Sequence, residues 1–295
     1  MSDGRQVVGL VGLGLMGDAL STRLLAAGFG VLGYDIDPAK TARLAQRGVQ
    51  PAASIAEVAR CDTVVLSVFN TDQVEEVVEQ SLVPAAGSGK LVLCTSTCDP
   101  DRIAALAARV ASKGIRFLET PVSGTSEQVR RGEGLGLIAG DAAAAADAKA
   151  VLDAIFPRRV HFDKPGDGGR AKLAINLILG LNRLALAEGL VFATRLGLDP
   201  KTFLDVARDS AAYSQCMDTK GVKMVTREFK AQGYVHQSLK DMHLIHDLAG
   251  RAGQRLPALD VNIDVLESCV RAGEANYDNS AVVEEIRRRT TGKQS

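Results

Sequence analysis

The stretch Val7-Val8-Gly9-Leu10-Val11-Gly12-Leu13-Gly14-Leu15-Met16-Gly17 decides the fold. Val7–Val11 is a short β-branched and apolar run, the pattern of a buried strand. The glycine turn follows at once, and a helical pattern opens behind it from about Met16 to Ala27. In that order each glycine has a physical task. Gly12 can make the tight turn, Gly14 lets the backbone approach a pyrophosphate without a Cβ clash, and Gly17 permits close helix–strand packing. The free amides and positive dipole end of the helix then meet the phosphates, so Gly12, Leu13, Gly14, Leu15 and Met16 are candidate dinucleotide contacts. Gly30–Tyr34 reads as the next strand, and Asp35 stands at its end, 18 residues after Gly17. A carboxylate there accepts hydrogen bonds from ribose hydroxyls and repels a 2′-phosphate. No arginine follows directly, Lys40 and Arg43 lying further on, so NAD is expected rather than NADP.

Outward from this unit, strands and helices alternate. Thr63–Val68, Lys90–Cys94, Ile115–Glu119 and Val160–Phe162 read as strands, with helices over Gln73–Val78 and Asp101–Lys113. Asp141 caps an alanine tract that runs as a helix to about Ile155. The Gly/Pro-rich segment Lys164–Gly169 reads as a linker. Arg170–Leu196 is one long helical pattern ended by Gly197, Asp199-Pro200 opens another helix, and nothing beyond reads as a strand. The expected fold is an α/β Rossmann-type N-terminal domain with a mostly parallel sheet over residues 1–164. An all-α C-terminal domain, begun by a long interdomain helix, follows over residues 165–295.

Composition narrows the function classes. The 295 residues are 46% hydrophobic and 24% charged, a globular balance. Lysine plus arginine and aspartate plus glutamate stand at 35 each, so no global field attracts nucleic acid or an anionic membrane. The apolar run Leu173–Leu181 is far short of the roughly 20 residues of a bilayer span. Cys61, Cys94, Cys98, Cys216 and Cys269 form neither a CxxC pair nor an even set, which suits reduced thiols in a cytoplasm and no metal.

Three further segments carry chemistry-bearing residues. Thr120-Pro121-Val122-Ser123-Gly124 follows a strand, and its small residues form either an anion-binding nest or a plain turn. Lys172 and Asn176 are four residues apart on an otherwise apolar helix face, where a lysine either works chemically or snorkels to solvent. Lys240-Asp241 lies in the helical pattern Ser238–Ala249, where such a pair is ordinarily surface charge. His243 and Asp247 share a face without a third metal ligand.

Taken in order, these segments resemble the β-hydroxyacid dehydrogenase family, which includes 3-hydroxyisobutyrate dehydrogenases and tartronate semialdehyde reductases, over essentially the whole chain. The resemblance implies roles. Ser123 and Gly124, with Thr125 beside them, bind the substrate carboxylate. Lys172 is the catalytic acid/base, Asn176 orients the substrate, and Lys240 reaches the nicotinamide end of the cofactor. Val68-Phe69 takes the place of a Leu-Pro pair lining the cofactor, and Thr97 that of a polar residue near the nicotinamide. Four positions depart from the family pattern: Phe69 for Pro, Cys94 for Asp, Thr125 for Gly, and bulky Gln128-Val129-Arg130-Arg131 for small residues.

The expected reaction moves a hydride between NAD and a small carboxylate substrate, a β-hydroxy acid, with Lys172 moving the proton. Free lysine titrates near about 10.4. As a base near neutrality it needs the apolar helix face and the Lys240 charge to bring it down; as lysinium it is a proton donor for reduction. The alternatives are an imine reductase-like enzyme, which usually carries Asp or Tyr in place of Lys172, and a non-catalytic NAD-binding protein. The apolar length of Leu173–Leu190 points to a homodimer or homotetramer.

Overall fold

The computed structural model describes Arg5–Thr290. The chain forms two compact units, one running to Lys172 and the other starting at Leu173. The division falls inside the helix Asp167–Arg195.

The first unit is built on one sheet. Its strands are β1 (Val7–Val11), β2 (Gly30–Tyr34), β3 (Gln50–Pro51), β4 (Thr63–Leu66), β5 (Leu91–Cys94), β6 (Arg116–Glu119), β7 (Val122–Ser123), β8 (Leu135–Ala139) and β9 (Arg158–Phe162). Their spatial order is β3-β2-β1-β4-β5-β6-β8-β7, with β9 on β8. From β3 to β6 every pairing is parallel, and antiparallel pairing enters only through β8. β4 and β5 are buried along their whole length, as strands covered on both faces must be. Alternation distributes their side chains: Val65 and Leu93 join one core with Val8, Leu10 and Leu118. Val64, Leu66, Val92 and Cys94 face the other, with Ile103, Leu106 and Phe117.

The chain leaves β1 toward β2 on one side and resumes at β4 on the other. The strand order therefore reverses there, and a crevice opens at the carboxyl ends of β1 and β4. Helix α1 (Leu15–Ala26) leads away from the glycine turn, and α2 (Pro38–Ala45) starts after β2 with Asp37 accepting from the Ala39 amide.

Several local expectations shift. β3, β7 and β8 are strands that the apolar pattern did not reveal. The alanine tract breaks into Ala142–Asp147 and Lys149–Ile155, its Asp141 cap held by the Ala144 amide at 2.8 Å. The segment read as a linker is a close-packed helix start. A Cβ at Gly168 would lie 2.8 Å from the Leu137 carbonyl oxygen, and one at Gly169 would lie 3.0 Å from Glu119 Oε2. These glycines are there to let the helix approach the sheet.

That helix, Asp167–Arg195, is 29 residues long. It includes an 18-residue window of mean hydropathy 1.5, so by length and composition it passes for a bilayer span where the shorter run Leu173–Leu181 does not. In the second unit its Leu173, Leu184, Leu186, Ala187 and Leu190 are core residues, packed with Met242, Ile245, Leu259, Val265 and Leu266. The other principal helices of this unit are Pro200–Arg208, Val235–Arg251, Pro257–Arg271 and Val282–Arg288. Among its described residues there is no strand, only the isolated bridge Tyr234–Asp278.

Candidate active site

The glycine turn separates its three tasks in space. Gly12 has φ +92°, and a Cβ on it would stand 2.3 Å from the Ser67 carbonyl oxygen. A Cβ on Gly17 would stand 2.0 Å from the Gly12 carbonyl oxygen, whereas one on Gly14 would meet nothing within 4 Å. The two outer glycines are thus demanded by packing, and the middle one borders open space. Helix α1 has no side-chain cap. Its first amides, from Leu15 and Met16 onward, are left for an anion.

Leu13 departs from the expected role. Its side chain is fully buried, and its amide donates to Asp35 Oδ2 at 2.7 Å. It offers a phosphate no donor and instead fixes Asp35. The other oxygen of Asp35 accepts from the Asp37 amide at 2.9 Å, with Lys40 Nζ at 3.4 Å. A carboxylate has about four acceptor sites; three are engaged, two of them on Oδ1, so Oδ2 retains capacity for a ribose hydroxyl. Arg43 turns away from this edge, toward the Leu13 carbonyl at 3.4 Å and Asp18 at 3.7 Å. Asp18 also holds Arg47 at 2.8 Å and Arg130 at 3.0 Å.

Across the crevice, the turns after β4 and β5 are stitched together. Ser96 Oγ accepts from the Val68 amide at 3.0 Å and donates to the Val68 carbonyl at 2.8 Å. Thr95 Oγ1 donates to the Leu66 carbonyl at 2.7 Å. Phe69, half-exposed, donates its amide to Gln73 Oε1 at 2.8 Å. Val68, Phe69 and Thr97 therefore sit on turns that follow β4 and β5, next to the glycine turn after β1. Cys94 lies at the end of β5, where hydrogen bonding with Cys98 and burial push its thiol up.

The third part of the first unit joins Ser123 to Lys172. β6 ends at Glu119, and the chain passes through Thr120-Pro121 into β7, where Ser123 pairs with Leu135. Gly124 has φ +144°, a conformation that favours glycine. Thr125 caps the helix Ser126–Arg130 in a capping box: its hydroxyl accepts from the Gln128 amide, and Gln128 Oε1 accepts from the Thr125 amide at 2.9 Å. The Thr125 amide is thereby committed to the helix, which leaves Ser123 and Gly124 as the donors of this segment. Glu119 accepts from the Gly166 amide and, at 2.9 Å, from the Gly169 amide. It caps the long helix whose next turn carries Lys172, only 8% exposed. Burial pushes the Glu119 carboxyl up, while the two amides oppose it.

In the second unit, Asn176 Nδ2 donates to Asp241 Oδ2 at 2.8 Å, and Lys240 Nζ lies 2.9 Å from Asp241 Oδ1. One carboxylate positions both candidate residues. A shallow groove on the same helix is lined by His236, Leu239, Lys240, His243, Leu244 and Asp247. His243 Nε2 is 3.8 Å from Glu267, and His246 Nδ1 is 3.6 Å from Asp247.

Comparison with known proteins agrees with this layout. Residues 7–161 match the NAD binding domain of 6-phosphogluconate dehydrogenase, and residues 166–286 match the NAD-binding region of NADP-dependent 3-hydroxyisobutyrate dehydrogenase. L-threonate dehydrogenase of Cupriavidus necator is 31% identical, over 94% of this chain and 94% of its own. The chain belongs to the β-hydroxyacid dehydrogenase family. Among further relatives of this dehydrogenase, 2-hydroxy-3-oxopropionate reductase of Escherichia coli is 27% identical over 95% of this chain and 96% of its own. The crystal structure of 3-hydroxyisobutyrate dehydrogenase from Salmonella typhimurium superimposes with a TM-score of 0.87 at 29% identity, covering 94% of this chain and 99% of that one. The dehydrogenase is accordingly an NAD(P)-dependent enzyme acting on CH–OH groups.

Sequence reasoning gave no positioning role to four residues of the candidate site: Ser96, Glu119, Gln128 and Asp241. Only Gln128 had a local signal, the Thr-x-x-Gln spacing of a capping box. Ser96 and Glu119 act through partners distant in sequence, as Asp241 does on Asn176, although its other partner, Lys240, is its neighbour.

Proposed function

We propose that this dehydrogenase interconverts a small β-hydroxy acid and its semialdehyde or keto acid, with Lys172 as the general acid/base and NAD as the cofactor. The observation that carries the reading is the Glu119 bridge. One carboxylate ends the strand leading into Ser123-Gly124 and also caps the helix that carries Lys172. A carboxylate-binding turn and a buried ammonium are thereby held from a common root.

When bound, NAD accepts the hydride in oxidation, and NADH returns it in reduction. The protein supplies orientation and the proton. Ser123 Oγ and the Gly124 amide hold the substrate carboxylate; Asn176, fixed by Asp241, donates its second Nδ2 proton to the reacting oxygen. The Lys172 amine takes the hydroxyl proton as hydride leaves carbon, and lysinium returns it to the carbonyl oxygen in the opposite direction. The preference for NAD is supported by Asp35 at the ribose position and by Arg43 and Lys40, each already engaged with a carboxylate. Five free, buried thiols suit a reducing cytoplasm. An apolar stripe on the long helix supports a homodimer or homotetramer.

The test is Lys172→Ala assayed by NADH absorbance with a panel of β-hydroxy acids and semialdehydes. The variant is expected to lose about 10²–10⁴-fold in kcat while binding NAD with unchanged Kd. Near-normal turnover by that variant removes Lys172 from the mechanism.

A further inference from the structure

Arg183 lies two turns beyond Asn176 on the long helix. Seven residues advance about 10.5 Å along the axis and return to the same face. A helical side chain leans toward the N-terminus, so Arg183 reaches back toward Asn176. It is 8% exposed, and among the described residues its guanidinium makes no hydrogen bond and no ion pair. None of its nitrogens is sealed from solvent without a partner, so the guanidinium keeps a share of that small access. A planar fork of five donors is held inside the helical unit and kept open at its tip.

The charges around it leave a simple remainder. Asp278, Asp241, the Cys216 thiol and Lys220 are the groups coupled to Arg183 by their fields. Asp278 is already paired with Lys220 at 2.9 Å, and Asp241 with Lys240 at 2.9 Å. Each carboxylate has its own lysine, and Cys216 stays protonated, since burial pushes its thiol up. One positive charge is unmatched, and it belongs to Arg183. An uncompensated buried charge is costly, whereas an aliphatic residue would serve the core better. The residue fits a helical core only if an anion completes it.

We propose that Arg183 binds a second carboxylate on the substrate, remote from the reacting carbinol, so that the preferred substrates are hydroxydicarboxylic acids and the aldehydo- or ketodicarboxylic acids that they form on oxidation. The inference rests on the reading that Asn176 orients the substrate at Lys172. One guanidinium matches one carboxylate in a bidentate pair. A phosphate, with nearly twice the charge, would face two carboxylates with only one free cation to receive it.

Isothermal titration of the NADH-loaded enzyme with glutarate and with butyrate tests the contact without turnover. Glutarate is expected to bind at least about tenfold more tightly, the worth of one charge-assisted pair. Arg183→Leu is expected to bring glutarate down to the butyrate level, and Arg183→Lys, which keeps the charge but not the fork, to fall between. Equal binding of both acids to the wild type, a comparison that needs no variant, overturns the proposal. So does undiminished glutarate binding by Arg183→Leu. In turnover, kcat/KM is expected to favour a hydroxydicarboxylate over its monocarboxylate counterpart. The reverse preference overturns the role of Arg183 and leaves the proposed reaction standing. Arg183-dependent glutarate binding without NADH-linked turnover of either class would overturn that reaction and leave the carboxylate site in place.

Discussion

Thr125 and Gln128, two departures from the family pattern, explain each other. A threonine in place of glycine needs a reason, and a long side chain three residues later needs room; together they close a capping box. Gln128→Ala is expected to cost about 1 kcal/mol of stability and to raise KM for the acid with the Kd of NAD unchanged; chemical denaturation and steady-state kinetics read the two effects separately. The Lys220–Asp278 pair gives a prediction in pH. Burial favours the neutral form of Asp278, but the Lys220 ammonium beside it and the Gln232 amide hold its carboxyl below the ordinary value. Its stabilisation is therefore present above the unfolded carboxyl pKa of about 3.9 and is lost as pH falls through the lower folded value. Lys220→Met leaves a buried carboxylate unpaired, at about 3–5 kcal/mol. Urea melts should show that deficit in full at neutral pH and reduced near pH 3 (about one unit below the free Asp pKa), where the variant's Asp278 is protonated.

At the scale of elements, what could be read from the chain depended on how local the cause was. Gly12, Gly14 and Gly17 were legible because turn, approach and packing each leave a glycine in a fixed order. The parallel strands β1, β2, β4, β5 and β6 were legible as apolar runs. β8 was not, because its Leu135–Ala139 stretch contains Gly136 and becomes a strand by pairing with β6, β7 and β9. Gly168-Gly169 misled for a related reason: glycine marks a flexible joint or a tight contact, and only the sheet beneath distinguishes them. Glu119 is the test of this element. Glu119→Ala removes the cap from the Gly166 and Gly169 amides, and a loss of about 1–2 kcal/mol is expected. If the bridge also sets Lys172 against the Ser123 turn, kcat must fall more than NAD affinity, while Glu119→Gln, which keeps one acceptor, recovers part of both. A variant that is destabilised with kcat unchanged would show the bridge to be structural only.

For the whole molecule, the long helix presents a narrow stripe that the described residues leave uncovered. Ala174, Ile178, Ala185 and Phe192 are exposed, and their spacings of four and seven residues place them on one side of the helix. Ile178 is 59% and Phe192 65% exposed, large apolar side chains of the sort that subunit contacts cover. Light scattering is expected to give two or four times the 31.1 kDa of the chain. Phe192→Glu should move the population toward the single-chain mass; an unchanged assembly would place the contact elsewhere.

The same helix also limits how such a protein can be taken apart or recombined. A gene fragment stopped at residue 164 would encode a nucleotide binder stripped of its amine, with the Glu119 carboxylate left facing nothing. A fragment begun at residue 165 would inherit the amine without the anchor that seats it. Exchange of halves between homologous genes would keep Glu119 and Lys172 together only where the crossover falls beyond Lys172.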